Sequence, residues 1–235
     1  MMLRERNRQE QRMRILAAAR ELFATRGLEQ VTMREVGRAA GVARATVFNH
    51  FESKYALVEA ITEDVLAYYR AMLERALADE RSSTPGLVRA LLDHMGWGIE
   101  QFHPFYRGVF RELVKIQVGL DEGGAAERQR EAALDRLRRL LARGQARGDI
   151  TSTLPATDLA CALDSIANGT IIHWLYEDTS GSLRERMRRG AEVFLGAVAV
   201  GPARDDEPPP DLMPHPDAIP ESLRMAAPEQ EVPRR

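Results

Sequence analysis

The sequence predicts an all-α fold of about nine helices, and three features of its first 200 residues carry that prediction. Apolar residues recur at three- and four-residue spacing almost throughout, the period of a helix with one buried face. Strand-like alternation and internal repeats are absent. Only three of the twelve prolines (Pro85, Pro104 and Pro155) fall in this stretch, each at an expected break between helices.

Taken in order, Ile15, Leu16, Ala19, Leu22 and Phe23 make the inward face of a first helix, and Gly27 stops it. Thr32-Met33-Arg34-Glu35 spells a capping box, in which a threonine hydroxyl accepts a backbone N–H while a glutamate reaches back. Met33, Val36 and Ala40 then face inward from a short second helix closed by Gly41. A third helix, Arg44 to His50, buries Val47 and Phe51. Ser53 caps a long fourth helix with Leu57, Ile61, Val65, Tyr68 and Met72 on one face. Further helices are expected at 86–102, 105–118, 126–146, 156–177 and 182–199. The stretch Leu3 to Arg8 either prolongs the first helix or reaches a groove or phosphate as an arm.

Charge divides the chain. Residues 1–55 carry eleven Arg and Lys against six acids, a net of +5, whereas the remainder carries 22 basic and 29 acidic side chains, a net of −7. Local positive charge on an acidic chain points to a polyanionic partner for the first segment, or to a solvated, salt-bridged helix face. No apolar run reaches the ~18 residues of a membrane span, and the charged N-terminus does not read as a signal peptide. One cysteine, Cys161, closes no intramolecular disulfide and reads as a small buried hydrophobe. The expectation is a cytoplasmic protein without a membrane partner. Nine prolines crowd into residues 201–235, which read as a disordered or loosely draped tail.

Residues 32–51 are the informative stretch. Two short helices are joined by Ala40-Gly41-Val42-Ala43, where glycine permits the positive φ of a sharp turn. In a helix-turn-helix the second helix enters the major groove of DNA. With Val47 and Phe51 inward, Arg44, Ala45, Phe48 and Asn49 face the duplex. Arg44 suits a bidentate contact to guanine, and Asn49 suits adenine or a phosphate. Thr32, Thr46, His50 and Lys54 are candidates for phosphate contacts.

Residues 12–61 resemble the DNA-binding domain of the TetR/AcrR family of bacterial regulators. The resemblance runs through Ile15, Ala18-Ala19, Phe23, Gly27, Thr32-Met33, Val36, Ala40-Gly41-Val42, Thr46-Val47-Phe48, Phe51, Ser53-Lys54 and Leu57. It implies a DNA-binding unit at 1–55, a helical ligand-binding and dimerisation domain at 56–200, and the tail at 201–235. It further implies a homodimer that binds a near-palindromic operator on double-stranded DNA, usually as a repressor, and that responds to a small, mainly apolar effector. Similar proteins usually have Ser where this chain has Ala43, often Gly at Ala45, commonly Tyr at Phe48 and frequently an acid at Tyr55. Ala43 cannot cap the third helix, and Phe48 cannot donate to a phosphate.

In the second part, the helix 156–177 is apolar over much of its circumference, which calls for burial on two sides. Leu163, Ile166, Ala167, Thr170 and Trp174, with Met187 and Phe194 of the last helix, are the expected faces of a four-helix dimer interface, the alternative being that both faces are core within the chain. Residues 94–110 concentrate polar-tipped aromatics. His94, Trp97, His103, Tyr106 and Phe110, with His173 and Trp174, are the candidate lining of an effector pocket, or aromatic core. Asp93, His94, Glu100 and His103 do not close a metal-ligand pattern, and no nucleophile elbow, phosphate loop or zinc-hydrolase helix occurs. No metal, cofactor or enzymatic activity is expected. The rival reading is a ligand-independent architectural DNA-binding protein, whose aromatic clusters would be closed core.

Overall fold

The computed structural model describes residues 2–101, 104–107, 109, 125–176, 181–201, 210 and 212. Eight helices are defined among them: α1 (Met2–Arg26), α2 (Met33–Ala39), α3 (Arg44–His50), α4 (Lys54–Ala78), α5 (Thr84–Gln101), α6 (Ala125–Arg147), α7 (Ala156–Tyr176) and α8 (Leu183–Val198). Residues 104–107 and 109 are also helical. The rest of the helix expected at 105–118 lies outside the described residues. The fold is all-α, and a lone antiparallel bridge, Ile150 to Ala199, is the extended pairing among the described residues.

The local signals form as read. Gly27 and Gly41 take φ of +75° and +67°, which L side chains rarely adopt. The Thr32 hydroxyl accepts the Glu35 N–H, and the Glu35 carboxylate accepts the Thr32 N–H at 2.9 Å, completing the box. Ser53 caps α4 through the Ala56 N–H at 3.1 Å. α1 runs as one helix from Met2, so the N-terminal stretch is a helical extension.

α5 starts at Thr84, two residues before its expected start, because its first turn has outside partners. Asp149 accepts the Thr84 N–H at 2.8 Å and the Ser83 hydroxyl accepts that of Gly86 at 3.2 Å. Pro85 then sits in the first turn, where no intrahelical hydrogen bond is lost. Two arginines of α6 bind the same corner: Arg143 donates to the carbonyls of Leu77 and Ala76, and Arg147 to those of Glu80 and Ser82. The last turn of α4 and the loop after it are thereby tied to α6.

α1, α2 and α3 enclose a small core of Ile15, Leu16, Ala19, Phe23, Val36, Val47 and Phe51, all buried. Burying a side chain such as Val47 or Phe51 contributes about 1.5–3 kcal/mol. Behind it, α4 packs on α6, α7 on α6 and α8, and α5 most closely on α8. Gly96 sets that last approach, since a Cβ there would lie 2.7 Å from the Arg184 Cα. Leu212 is 1% exposed and belongs to the hydrophobic core. The expected tail is therefore packed down at this point, while most of 201–235 lies outside the described residues.

Candidate nucleic-acid interface

The turn from Ala40 to Ala43 closes with backbone hydrogen bonds from Gly41 N–H to Arg38 and from Val42 N–H to Gly37. Gly37 lets α3 press against α2, because a Cβ on it would sit 3.1 Å from both the Val42 carbonyl and a Val47 methyl. This requirement has no local signal, since Gly37 lies inside a helix without a turn to mark it. α3 begins at Ala43 with no side-chain cap, as its alanine dictates. Val47 and Phe51 anchor it from behind at 0% and 4% exposure.

Arg44, Ala45, Phe48 and Asn49 are all exposed, with Thr46 and His50 half-buried at the margins. The Arg44 guanidinium lies over the Phe48 ring, 5.2 Å from its centroid. Phe48 thus supplies a stacking surface that restricts Arg44, a role that survives the absence of a tyrosine hydroxyl. At the far end of α3, burial and the charges of Arg8 and Arg12 together push His50 below the ordinary histidine range.

Two of the expected phosphate contacts have partners inside the unit, Thr32 with its one proton already donated and Lys54 in part. The Thr32 hydroxyl accepts from Glu35 N–H and donates to the Glu35 carboxylate at 2.7 Å, so it has no proton to offer a phosphate. Lys54 donates to the carbonyls of Leu28 at 2.7 Å and Glu29 at 3.3 Å. Its ammonium fastens α4 to the loop between α1 and α2 and keeps one of three donors. Glu35 also accepts from Arg26 at 2.8 Å. Hydrogen bonds from Thr32 and Arg26 hold its carboxyl down to about 2.

Among the described residues, several of the expected effector residues are engaged in the fold. His103 and Phe110 lie outside the described residues. His94 spends Nδ1 on the Ala90 carbonyl of its own helix at 2.8 Å, and Trp97 is half-buried. Tyr106 is buried, which pushes its phenol above the ordinary range. Trp174 is core, its indole donating to the Gly181 carbonyl at 2.9 Å, whereas His173 faces outward. The carboxylates beside His94 have other partners: Asp93 accepts from Arg184 and Arg188, and Glu100 from the Ser182 hydroxyl and the Arg184 N–H. Burial raises the Asp93 carboxyl, and the two arginines more than reverse that, leaving it below the usual range.

A cleft of about 540 Å³ separates α1 from the body, with Ala17, Ala18 and Ala24 on one wall and Gln101, Pro104 and Phe105 on the other.

The expected interface residues also need correction. Leu163, Ala167, Trp174, Met187 and Phe194 are buried within this chain, and Ile166 and Thr170 pack toward Gly190. A helix apolar on two sides gives its larger side chains to its own core. The outward stripe of α7 is instead Ala162, Ser165, Gly169, His173 and Tyr176, with Val193, Gly196 and Ala197 beside it on α8. Cys161, expected to be buried, lies on this exposed side.

Comparison with known proteins agrees with this geometry. The family model for "Bacterial regulatory proteins, tetR family" matches residues 15–61, the span from the first core residue of α1 into α4. The chain is 30% identical over 196 residues to the HTH-type transcriptional regulator SrpR of Pseudomonas putida, covering 80% of this chain and 84% of that protein. It is 31% identical over 165 residues to the HTH-type transcriptional repressor Rv1474c of Mycobacterium tuberculosis, covering 68% and 80%. Among solved structures, SmeT, the repressor of the Stenotrophomonas maltophilia multidrug efflux pump SmeDEF, superposes with a TM-score of 0.66 at 22% identity, covering 86% and 95%. SmeT has also been solved with triclosan. The repressor FadR of Thermus thermophilus, in complex with lauroyl-CoA, superposes with a TM-score of 0.57 at 22% identity, covering 84% and 100%. No helix among the described residues is long and apolar enough to cross a membrane. With two relatives at 30% identity or more over most of their length, and the family model matched through the turn and third helix, this chain belongs to the TetR family of bacterial transcriptional regulators.

Proposed function

We propose that the protein is a homodimeric, effector-responsive repressor that binds a near-palindromic operator through α3. The observation that carries this reading is the outward row Arg44, Ala45, Phe48 and Asn49, held by Val47 and Phe51, with Arg44 stacked on Phe48. A guanidinium restricted in this way is suited to the paired acceptors of guanine, and the Ala45 methyl to thymine. Thr46 remains a candidate phosphate contact at the edge of the helix.

Dimerisation is supported by what α7 and α8 leave uncovered. Tyr176 is 80% exposed and Val193 72%. A Cβ at Gly169 or Gly196 would meet nothing within 4 Å, so no packing among the described residues calls for glycine there. A second copy brought up by a two-fold axis would cover this face and give both small residues a purpose. The two α3 helices of such a dimer would have to sit ~35 Å apart to enter successive major grooves.

Effector response is supported by the structural neighbours solved with triclosan, a largely apolar molecule, and with lauroyl-CoA, whose twelve-carbon acyl chain is apolar although its nucleotide part is highly charged. An effector that prefers the dimer state with mismatched α3 spacing would release the operator by shifting the population. The cleft between α1 and the body is where such a change in spacing has room to occur.

The test is selection of binding sites from a randomised duplex pool, followed by footprinting with the wild-type protein and Arg44→Ala. The expected result is an inverted-repeat site, with the substitution costing about 1–3 kcal/mol of discrimination at one position of each half-site. An unchanged footprint and preference would overturn the assignment of α3. Selection that yields no preferred sequence favours an architectural DNA-binding protein.

A further inference from the structure

α1 runs as one helix from Met2, yet the core it serves begins only at Ile15, and residues 4–10 are all exposed. About three helical turns therefore project beyond the body they help to fold. In the first turn Arg4 opposes the positive end of the macrodipole and Glu5 complements it, so the dipole gives this end little net support. Arg6 is balanced by Glu10 at 3.4 Å. Arg8 and Arg12 pair with no carboxylate among the described residues.

These two arginines lie one turn apart on one side of α1, and that side meets the end of α3. The Arg12 guanidinium sits over the Phe51 ring, 4.7 Å from its centroid, and the His50 and Phe51 rings are 6.3 Å apart. The charges of both arginines are felt at His50, the last residue of α3. Three nitrogen-bearing side chains from two separate helices thus gather beside the reading face. Concentrated positive charge without a carboxylate partner is destabilising until an anion arrives, and breaking a local rule in this way marks a binding surface.

We propose that Arg8, Arg12 and His50 form a clamp for the DNA backbone, gripping a phosphodiester of the same duplex next to the bases that α3 reads. This assignment rests on the DNA-binding reading above and extends the contact surface from α3 onto the projecting turns of α1. The clamp positions the duplex without reading sequence, because its donors meet phosphate oxygens and no base edge. Arg4, one further turn along, continues the strip toward the flanking DNA.

The experiment measures the affinity of the full-length protein for a fluorescent 40-base-pair duplex of mixed sequence as a function of salt. Each phosphate contact contributes about −0.9 to the slope of log K against log salt. Arg8→Gln should flatten the slope by about one contact and the Arg8→Gln/Arg12→Gln pair by about two. Arg8→Lys should restore it, and Arg6→Gln, which removes a charge already balanced by Glu10, should leave it unchanged. Sequence preference in the selected site should be the same in all four. Arg8 is exposed, so the single variant remains informative if loss of the Arg12 contact with Phe51 destabilises the pair. Wild-type binding with an unaltered slope in Arg8→Gln overturns the clamp and leaves the proposed function standing. A wild-type protein that binds no duplex at low salt overturns both.

Discussion

In the reading unit, two side chains, Val47 and Phe51, hold α3, and most of what remains on that helix faces outward. In the body, α7 buries Leu159, Ala160, Leu163, Ala167, Trp174 and Leu175 and still leaves Ala162, Ser165 and Gly169 in the open. A seven-residue helix with two anchors has one stable orientation and little redundancy. A 21-residue helix that is apolar over much of its circumference has two faces able to form a core, and its neighbours choose between them. The first arrangement suits a helix that must present fixed atoms to a rigid partner. The second suits one shared between a core and a further surface.

Substitutions that confuse the two sides of the α7–α8 pair should break this comparison most sharply. Met187→Glu places an unpaired carboxylate at a site with 0% exposure, and is expected to cost more than about 4 kcal/mol. Val193→Glu, six residues later on the outward side, is expected to change chain stability by less than about 0.5 kcal/mol while converting dimers to monomers. Thermal melts paired with sedimentation measure both. A Val193→Glu protein that remains dimeric would remove this face as the interface.

Phe51→Ala comes next, at about 3–5 kcal/mol for a truncated core aromatic. Because α3 has only one other anchor, DNA binding should vanish under conditions in which α4 to α8 keep their helical circular dichroism. Retained binding would show that α3 is held by more than its two anchors. Gly96→Ala is expected to cost about 1–3 kcal/mol by overpacking α5 against the Arg184 backbone, read as a lowered denaturation midpoint with DNA affinity preserved.

The smallest effect sharpens the local half of the comparison. The folded Glu35 carboxyl titrates at about 2, against roughly 4.3 for an unperturbed glutamate. Its folded value is depressed, so its contribution is present in full above about pH 5 and is lost as the pH falls toward 2. Glu35→Gln should remove that acid-side decline while leaving the helix start intact at neutral pH, because an amide oxygen can still accept the Thr32 N–H. A melting profile of unchanged pH dependence would mean that the Arg26–Glu35–Thr32 cluster does not form in solution.

Much of the reading unit was legible from the chain because its signals are short-ranged. Thr32 and Glu35 lie within one helical turn, Gly41 meets a backbone demand of its own, and Val47 and Phe51 repeat at the period of the helix they anchor. The partners that Thr32 and Lys54 find inside the unit were not fully legible, for the complementary reason. Whether a hydroxyl or an ammonium is free depends on acceptors placed by the fold, and the Leu28 carbonyl lies 26 residues before Lys54. Gly37 carried no local mark, because the atoms that exclude its Cβ belong to the turn and to α3.

The order of helices, their caps, the turn before α3 and the charge imbalance between the two ends follow from the amino-acid sequence alone, through backbone geometry and interactions within a few residues. Tertiary structure decided which side of α7 and α8 became core, that Cys161 faces outward, that Leu212 packs into the body, and that Arg12 reaches Phe51 at the end of α3. Each of these depends on competition among partners far apart in the chain, and periodicity states that a face is apolar without stating what will cover it.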